Sequence, residues 1–229
     1  MLNFLRKLRR SNTKAGYIKY ALGEIILVVI GILIAVNINN WNESRKEKIR
    51  EKQLLEKLKK ENDNNLASLI NDSSYHYHAD MIPYTIHKTL SKKRSAKNDS
   101  IIQENLINNN RSVIYTFSSK YLERYIDNSD LQSDQLIDEL VELKDSQNNL
   151  NQISQMAFDY KFEKILPLLE ENVDPYTGEV LNMEALRNIL MINRMVTLDN
   201  LVETQVGIYS DCIEQHLKLD SILTARLTE

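Results

Sequence analysis

The chain has 229 residues, a formal net charge of −3 at pH 7, one cysteine, five glycines and three prolines. The small net charge, with basic and acidic residues mixed outside the N-terminal tail, argues against a nucleic-acid-binding protein. A single thiol excludes an internal disulfide framework, and the scarcity of glycine and proline favours long helices over strands and turns. We therefore expect an all-α protein.

Residues 1–19 form a short basic tail without any acidic residue. Its six cations are Arg6, Lys7, Arg9, Arg10, Lys14 and Lys19. Short flanks rich in Lys and Arg are retained in the cytoplasm, where they also lie against an anionic leaflet. Residues 1–19 are thus predicted to be a cytoplasmic tail.

Residues 20–41 are predicted to form a transmembrane helix. The 17 residues Leu22–Ile38 carry one formal charge, that of Glu24. A helix over residues 20–41 is roughly 33 Å long, enough to cross a hydrocarbon core of about 30 Å. Tyr17 and Tyr20 precede this stretch and Trp41 follows it, as expected of anchors at the two membrane interfaces.

We interpret this helix as an uncleaved signal anchor of a bacterial plasma membrane, with the C-terminal domain outside the cytoplasm. A cleaved signal peptide is the competing interpretation, but Ala35-Val36-Asn37 matches a small-x-small cleavage site poorly. Lysines and arginines also follow the span, so the excess of positive charge on the N-terminal side is small and the positive-inside rule alone does not decide the orientation. The orientation is favoured because long domains translocate largely regardless of charge.

The block GEIILVVIGILIA over residues 23–35, followed by INNWNE over residues 38–43, resembles the signature of an uncharacterised family of bacterial single-pass membrane proteins. Members open with a basic tail, carry this anchor block and continue into a helical domain of unknown function. The resemblance implies this architecture, but it implies no activity, ligand or catalytic residue.

Within the span, Glu24, Gly31 and Ala35 are candidates for a contact between membrane helices. An ionisable residue in a span is costly and therefore a functional hypothesis, and Gly31 and Ala35 form a small-x-x-x-small pair that permits close backbone approach. Two other interpretations of Glu24 stay open. It can snorkel to the interface or pair with Lys19, or it can be the titrating group of an ion-driven complex.

Residues 42–71 are predicted to continue the helix without a hinge, as a juxtamembrane helix or stalk. Their apolar positions follow a broken helical period, and charges fill the positions between them. One interpretation is a solvated helix packed on the domain. The other is a parallel coiled coil between two copies of the chain.

Residues 72–229 are predicted to form a helical extracytoplasmic domain. Pro83 predicts a break or kink, residues 91–100 a loop, and residues 174–178 a turn. Helices are expected over residues 100–109, from Ser118 or Ser119 onward, over 134–171, and over 183 to about 226, where Gly207 is the one soft position. The sum is a helical bundle joined to one membrane helix.

Few side chains of this domain are of the types that form catalytic, metal-binding or ligand-binding sites. His76, His78, Asp80 and His87 invite a metal interpretation, but His76 and His78 do not share a helix face, so we interpret them as surface or packing residues. The tyrosines are expected at the edges of the core, a tyrosine-lined ligand pocket being the alternative, and Cys212 is expected to be buried and inert. No catalytic, metal-binding or cofactor-binding residue is predicted.

The sequence contains no G-x-S-x-G, H-E-x-x-H or glycine-rich phosphate-binding motif, so a non-enzymatic protein is favoured. The main hypothesis is a membrane-anchored structural or interaction protein whose partners are the lipid bilayer and either a second copy or another membrane protein. The alternatives are a ligand-sensing module that acts through a partner, and a subunit of an ion-driven membrane complex that uses Glu24.

Overall fold

The computed structural model describes residues 2–79, 81–108, 113–128 and 135–228, with side chains described from Leu22 to Asn71 and from Met81 onward within those ranges. The described residues are nearly all helical and contain no strand, which confirms the predicted all-α class. The chain divides into two compact units, Met1–Gln53 and Leu54–Glu229. Helix α1, Leu2–Ala79, begins in the first unit and ends in the second.

The first unit is helical throughout its described residues. From Leu22 to Gln53 every described side chain is exposed. No Gly or Pro interrupts the stretch from Asn42 to Ala79, and the predicted continuation of the helix through residues 42–71 is confirmed. How residues 20–41 and 42–71 divide into functional segments stays a prediction.

The second unit contains the rest of α1 and seven further α-helices among the described residues. These are α2 (Met81–Leu90), α3 (Ala96–Asn108), α4 (Lys120–Asn128), α5 (Gln135–Tyr160), α6 (Leu166–Asn172), α7 (Met183–Leu186) and α8 (Ile189–Thr228). A π-helical turn, Lys161–Ile165, joins α5 to α6 within the predicted helical region 134–171. Helix α8 packs along α5.

Two hydrophobic clusters form the core, and α8 contributes to both. The first cluster joins α1, α4, α5 and the C-terminal half of α8, through residues such as Leu58, Leu122, Leu143 and Leu219. The second joins α2, α3, the π-helical turn, α6, α7 and the N-terminal half of α8, around Met191 and Met195. Burial of these apolar side chains is the main favourable term in the stability of the unit.

Two helix starts differ from the sequence prediction because of short polar caps. Helix α3 begins at Ala96 rather than at Ser100, since the Ser95 hydroxyl accepts the N–H of Asn98 at 3.2 Å. The predicted single helix from residue 183 is two helices, α7 and α8. The Asn188 side chain accepts the N–H of Met191 at 2.8 Å and so caps α8 where a continuous helix was expected.

Other local predictions are confirmed. The turn at 174–178 is closed by the N–H of Gly178, which donates to the Asp174 carbonyl at 2.8 Å, and Gly178 adopts a positive φ of 70°. Helix α4 starts directly after Ser119. At Pro83, by contrast, the predicted break or kink is not seen: Pro83 lies within the first turn of α2, a position where the missing N–H costs little.

Candidate functional site

The first candidate site is the exposed apolar face of α1 in the first unit. The large apolar side chains from Leu22 to Ile38 are all exposed, and Trp41 is 66% exposed. By length and composition this stretch is a candidate membrane span, and no residue of its most apolar 18-residue segment is buried. It is compatible with a single-pass membrane anchor, because a surface of this kind is stable in hydrocarbon and unstable in water.

Helical geometry places the three predicted contact residues on one face of this segment. Gly31 lies seven residues after Glu24, and Ala35 lies four residues further, which corresponds to rotations of about 20° and 40° around the helix. Glu24, Gly31 and Ala35 are all exposed, and a Cβ added at Gly31 would meet no atom within 4 Å. The face is therefore open to a neighbouring helix.

The predicted interfacial anchors are described in part. Trp41 is exposed at the end of the apolar stretch, and close to it the Asn39 amide donates to the Glu43 carboxylate at 3.3 Å. The side chains of Tyr17 and Tyr20 lie outside the described residues.

The four residues weighed for a metal site are also described only in part. The side chains of His76, His78 and Asp80 lie outside the described residues. His87, on α2, is buried, and its Nε2 lies 2.9 Å from an Asp199 carboxylate oxygen on α8. Among the described residues, no group of three or more His, Cys, Asp or Glu side chains is arranged to hold a metal.

The tyrosines divide between the core and the surface. Tyr115, Tyr125 and Tyr209 are buried in the first cluster, whereas Tyr84 and Tyr176 are exposed. Cys212 is fully buried, as predicted, and burial raises the pKa of its thiol to about 11. The thiolate is the reactive form, so a high pKa keeps this cysteine unreactive at neutral pH.

A second candidate site, a buried polar network in the second unit, was missed from the sequence. The α1 residues Glu61, Asn62 and Asn65 are all buried. The Glu61 carboxylate accepts the N–H groups of Tyr121 at 3.1 Å and Leu122 at 3.0 Å. It therefore caps the first turn of α4 from a different helix, which satisfies backbone donors that the helix cannot pair itself.

Glu61 and Asn65 also fix the chain that precedes α4. Ser118 donates its hydroxyl to Glu61 at 2.9 Å. The Asn65 amide donates to the Ser118 carbonyl at 2.8 Å and accepts the Ser118 N–H at 3.1 Å. About one and a half turns of α1 thus bind both the segment before α4, at Ser118, and the first turn of α4.

His216, on α8, lies at the centre of the network and is fully buried. Its Nδ1 lies 2.6 Å from the Asn62 side-chain oxygen, and the Asn62 amide donates to the His216 carbonyl at 3.0 Å. The Gln147 Nε2 lies 3.2 Å from the His216 Nε2. Burial lowers the pKa of His216 to about 4, so the ring is neutral at pH 7.

The hydrogen bonds of His216 are satisfied by one tautomer. Nδ1–H donates to the oxygen of Asn62, and the unprotonated Nε2 accepts from the amide nitrogen of Gln147. This arrangement links α1, α5 and α8 through one neutral ring. It is suited to specifying a unique packing of the three helices rather than to acid–base chemistry near pH 7.

Together, these observations define an all-α protein that has, among its described residues, one candidate membrane-spanning helix and a helical unit organised around a buried polar network. The model of a family described as a family of unknown function (DUF6090) matches residues 24–121, so this part of the chain is similar to that family. The match begins in the apolar stretch and ends in α4. No curated protein and no solved structure matches the chain.

Proposed function

We propose that this chain is a single-pass protein of the bacterial plasma membrane that presents its helical unit outside the cytoplasm and acts by protein interaction rather than catalysis. The observation that carries the proposal is the exposed apolar stretch from Leu22 to Ile38, which ends at Trp41. The acid-free basic tail supports a cytoplasmic N-terminus.

The interaction surface that we propose within the membrane is the α1 face that carries Glu24, Gly31 and Ala35. Its small residues permit a second helix to approach closely, so that backbone and side-chain atoms of the two helices pack together. Contact there also removes Glu24 from part of the surrounding hydrocarbon, in which an ionisable group is costly. The partner is a second copy of the chain or another membrane helix.

Membrane insertion is tested by extraction of cell membranes with alkaline carbonate. The full chain should stay in the membrane pellet. The variant Ile30→Arg places a charge near the middle of the span, where insertion costs about 2.5–3.5 kcal/mol, and it should be enriched in the soluble fraction. The control is Ile49→Arg, since Ile49 is exposed and lies beyond the span. Release of the unmodified chain by carbonate would refute the membrane anchor.

Partners are identified by photo-crosslinking from a residue introduced on the proposed face at Ala35 and, separately, at Leu33 on the opposite face. Crosslinks to a defined protein or to a second copy from position 35 alone support the proposed surface. The same products in equal yield from both positions would refute it.

A further inference from the structure

The second unit has a polar cavity of about 240 Å³ where the chain before α4 passes α5. Its lining combines one aromatic ring (Phe117), one ion pair (Glu123 and Lys144) and three amides (Gln147, Asn148 and Asn151). The volume equals that of about eight waters at ~30 Å³ each, and it is smaller than the ~300–1,000 Å³ of pockets for drug-sized ligands. The cavity therefore suits one small ring.

The back of the cavity is held in place by the buried network. Gln147 is 4% exposed, and its amide nitrogen donates to the neutral His216 ring. The Asn151 amide nitrogen donates to the Tyr115 carbonyl. Each amide uses one N–H for a protein group, which leaves its carbonyl oxygen and its second N–H for a ligand.

The charged groups at the cavity balance each other. The Lys144 ammonium lies 3.2 Å from the Glu123 carboxylate, and both side chains are partly exposed. The lining has no net formal charge, which disfavours a strongly charged ligand. It does supply both a charged donor and a charged acceptor, in addition to the acceptor oxygens of Gln147 and Asn151.

We propose that this cavity binds a single neutral sugar ring, either a free monosaccharide or one ring of a longer glycan. The hydroxyl groups of a sugar donate to the amide oxygens and to Glu123, and they accept from Lys144. The C–H groups of the sugar ring pack on the part of the Phe117 ring that lines the cavity, whose other neighbours are the rings of Tyr115 and His216. A polyol is the ligand class that uses donors, acceptors and an aromatic surface without requiring a net charge. This inference goes beyond the proposed function and does not depend on the membrane anchor.

The test measures binding to the full chain by saturation-transfer NMR in a detergent without a sugar headgroup. The probes are glucose, galactose and N-acetylglucosamine, their short oligomers, and the amino acids glycine and glutamate. We expect saturable binding of at least one sugar in the millimolar range or tighter. Equal affinity for a monosaccharide and its oligomer identifies a free sugar as the ligand, whereas tighter binding of the oligomer identifies a glycan.

Two neighbouring asparagines supply a matched pair of variants. Asn148 lines the cavity, Asn149 does not, and both are exposed, so neither substitution disturbs the core. Asn148→Leu should weaken sugar binding at least tenfold, while Asn149→Leu should leave it unchanged. The absence of saturable sugar binding, binding of amino acids alone, or equal binding by the two variants would overturn the proposal. Carbonate extraction is unaffected by any of these outcomes, so the membrane proposal is tested separately.

Discussion

The carboxylate of Glu61, in α1, accepts the backbone N–H of Leu122, in the first turn of α4, at 3.0 Å. Helices are commonly capped by a residue directly before their first turn. The cap of α4 instead comes from a side chain 61 positions earlier in the chain. Because Glu61 is only 6% exposed, loss of its carboxylate leaves backbone donors without partners in a site that water reaches poorly.

Glu61→Ala is therefore expected to destabilise the helical unit. Unpaired buried donors cost about 1–3 kcal/mol, and 1 kcal/mol lowers the Tm of a unit of this size by about 2–4 °C. Glu61→Gln keeps one acceptor oxygen and should lose less. The measurement is thermal unfolding of the detergent-solubilised chain, followed by circular dichroism. The control is Glu56→Ala on the exposed side of α1; a Tm for Glu61→Ala equal to that of the control would contradict the capping role.

His216 predicts a pH dependence of stability in a defined range. Burial lowers the pKa of its ring to about 4 in the folded chain, below the ordinary value of 6.5. The unfolded state therefore binds the proton more tightly. The associated stability is complete above pH 6.5 and is lost as the pH falls towards 4, with a slope of up to ~1.4 kcal/mol per pH unit.

His216→Gln removes this titrating group, so its free energy of unfolding should fall less between pH 7 and pH 5 than that of the unmodified chain. Urea unfolding at several pH values in that range measures the two slopes. The comparison remains valid even if the variant is less stable at pH 7, because only the slope is interpreted. Identical slopes would show that the folded-state pKa of His216 is not depressed.

The buried network shows why the helical class could be predicted from the sequence while the network could not. On α1, the apolar residues Leu55, Leu58 and Leu69 predict a face that packs on something, and they are buried. The period looks broken because Asn62 and Asn65 occupy positions of the same face. Those polar residues are buried too, since their partners on α8 and before α4 satisfy their hydrogen bonds. Only the tertiary structure identifies these partners.

Burial of this α1 face agrees with the interpretation of a helix packed on the domain. The alternative for residues 42–71, a parallel coiled coil between two copies of the chain, stays a prediction. The break between α7 and α8 was missed for a related reason, since Asn188 is an ordinary polar residue in the sequence and only the structure shows it as a cap. The preceding residue, Arg187, has non-helical backbone angles (φ −87°, ψ 9°), and its guanidinium donates to the Lys92 carbonyl at 2.8 Å and to Asp99 at 3.1 Å. These long-range contacts are not visible in the sequence.

Two glycines are expected to respond to alanine in opposite directions. Gly178 has a φ of 70°, and a Cβ there would lie 2.5 Å from the Ile107 side chain, so Gly178→Ala should destabilise the unit by more than ~1 kcal/mol. Gly207 lies within α8, and an added Cβ meets no atom within 4 Å. Gly207→Ala should raise stability by up to ~1 kcal/mol through helix propensity. Thermal unfolding measures both; equal shifts for the two variants would contradict this account.

The proposed α1 contact face predicts that association in membranes depends on Gly31. Gly31→Ile fills the space in which a second helix approaches, so it should reduce energy transfer between labelled copies in liposomes. The control is Leu33→Phe, which adds bulk about 200° away around the helix. Undiminished energy transfer in Gly31→Ile, or an equal loss in both variants, would exclude this face as a self-association surface.

The orientation of the chain is the most direct test of the account, because it decides in which compartment the helical unit meets its partners. The only cysteine, Cys212, is buried and is replaced by serine to remove background labelling. A new cysteine is placed either at exposed Lys93, between α2 and α3, or at Ser11 in the basic tail. Intact cells, with the outer membrane opened where there is one, are treated with a membrane-impermeant maleimide, and lysed cells confirm that both sites react. We expect labelling at position 93 and protection at position 11; labelling at position 11 with protection at position 93 would place the helical unit in the cytoplasm and contradict the account.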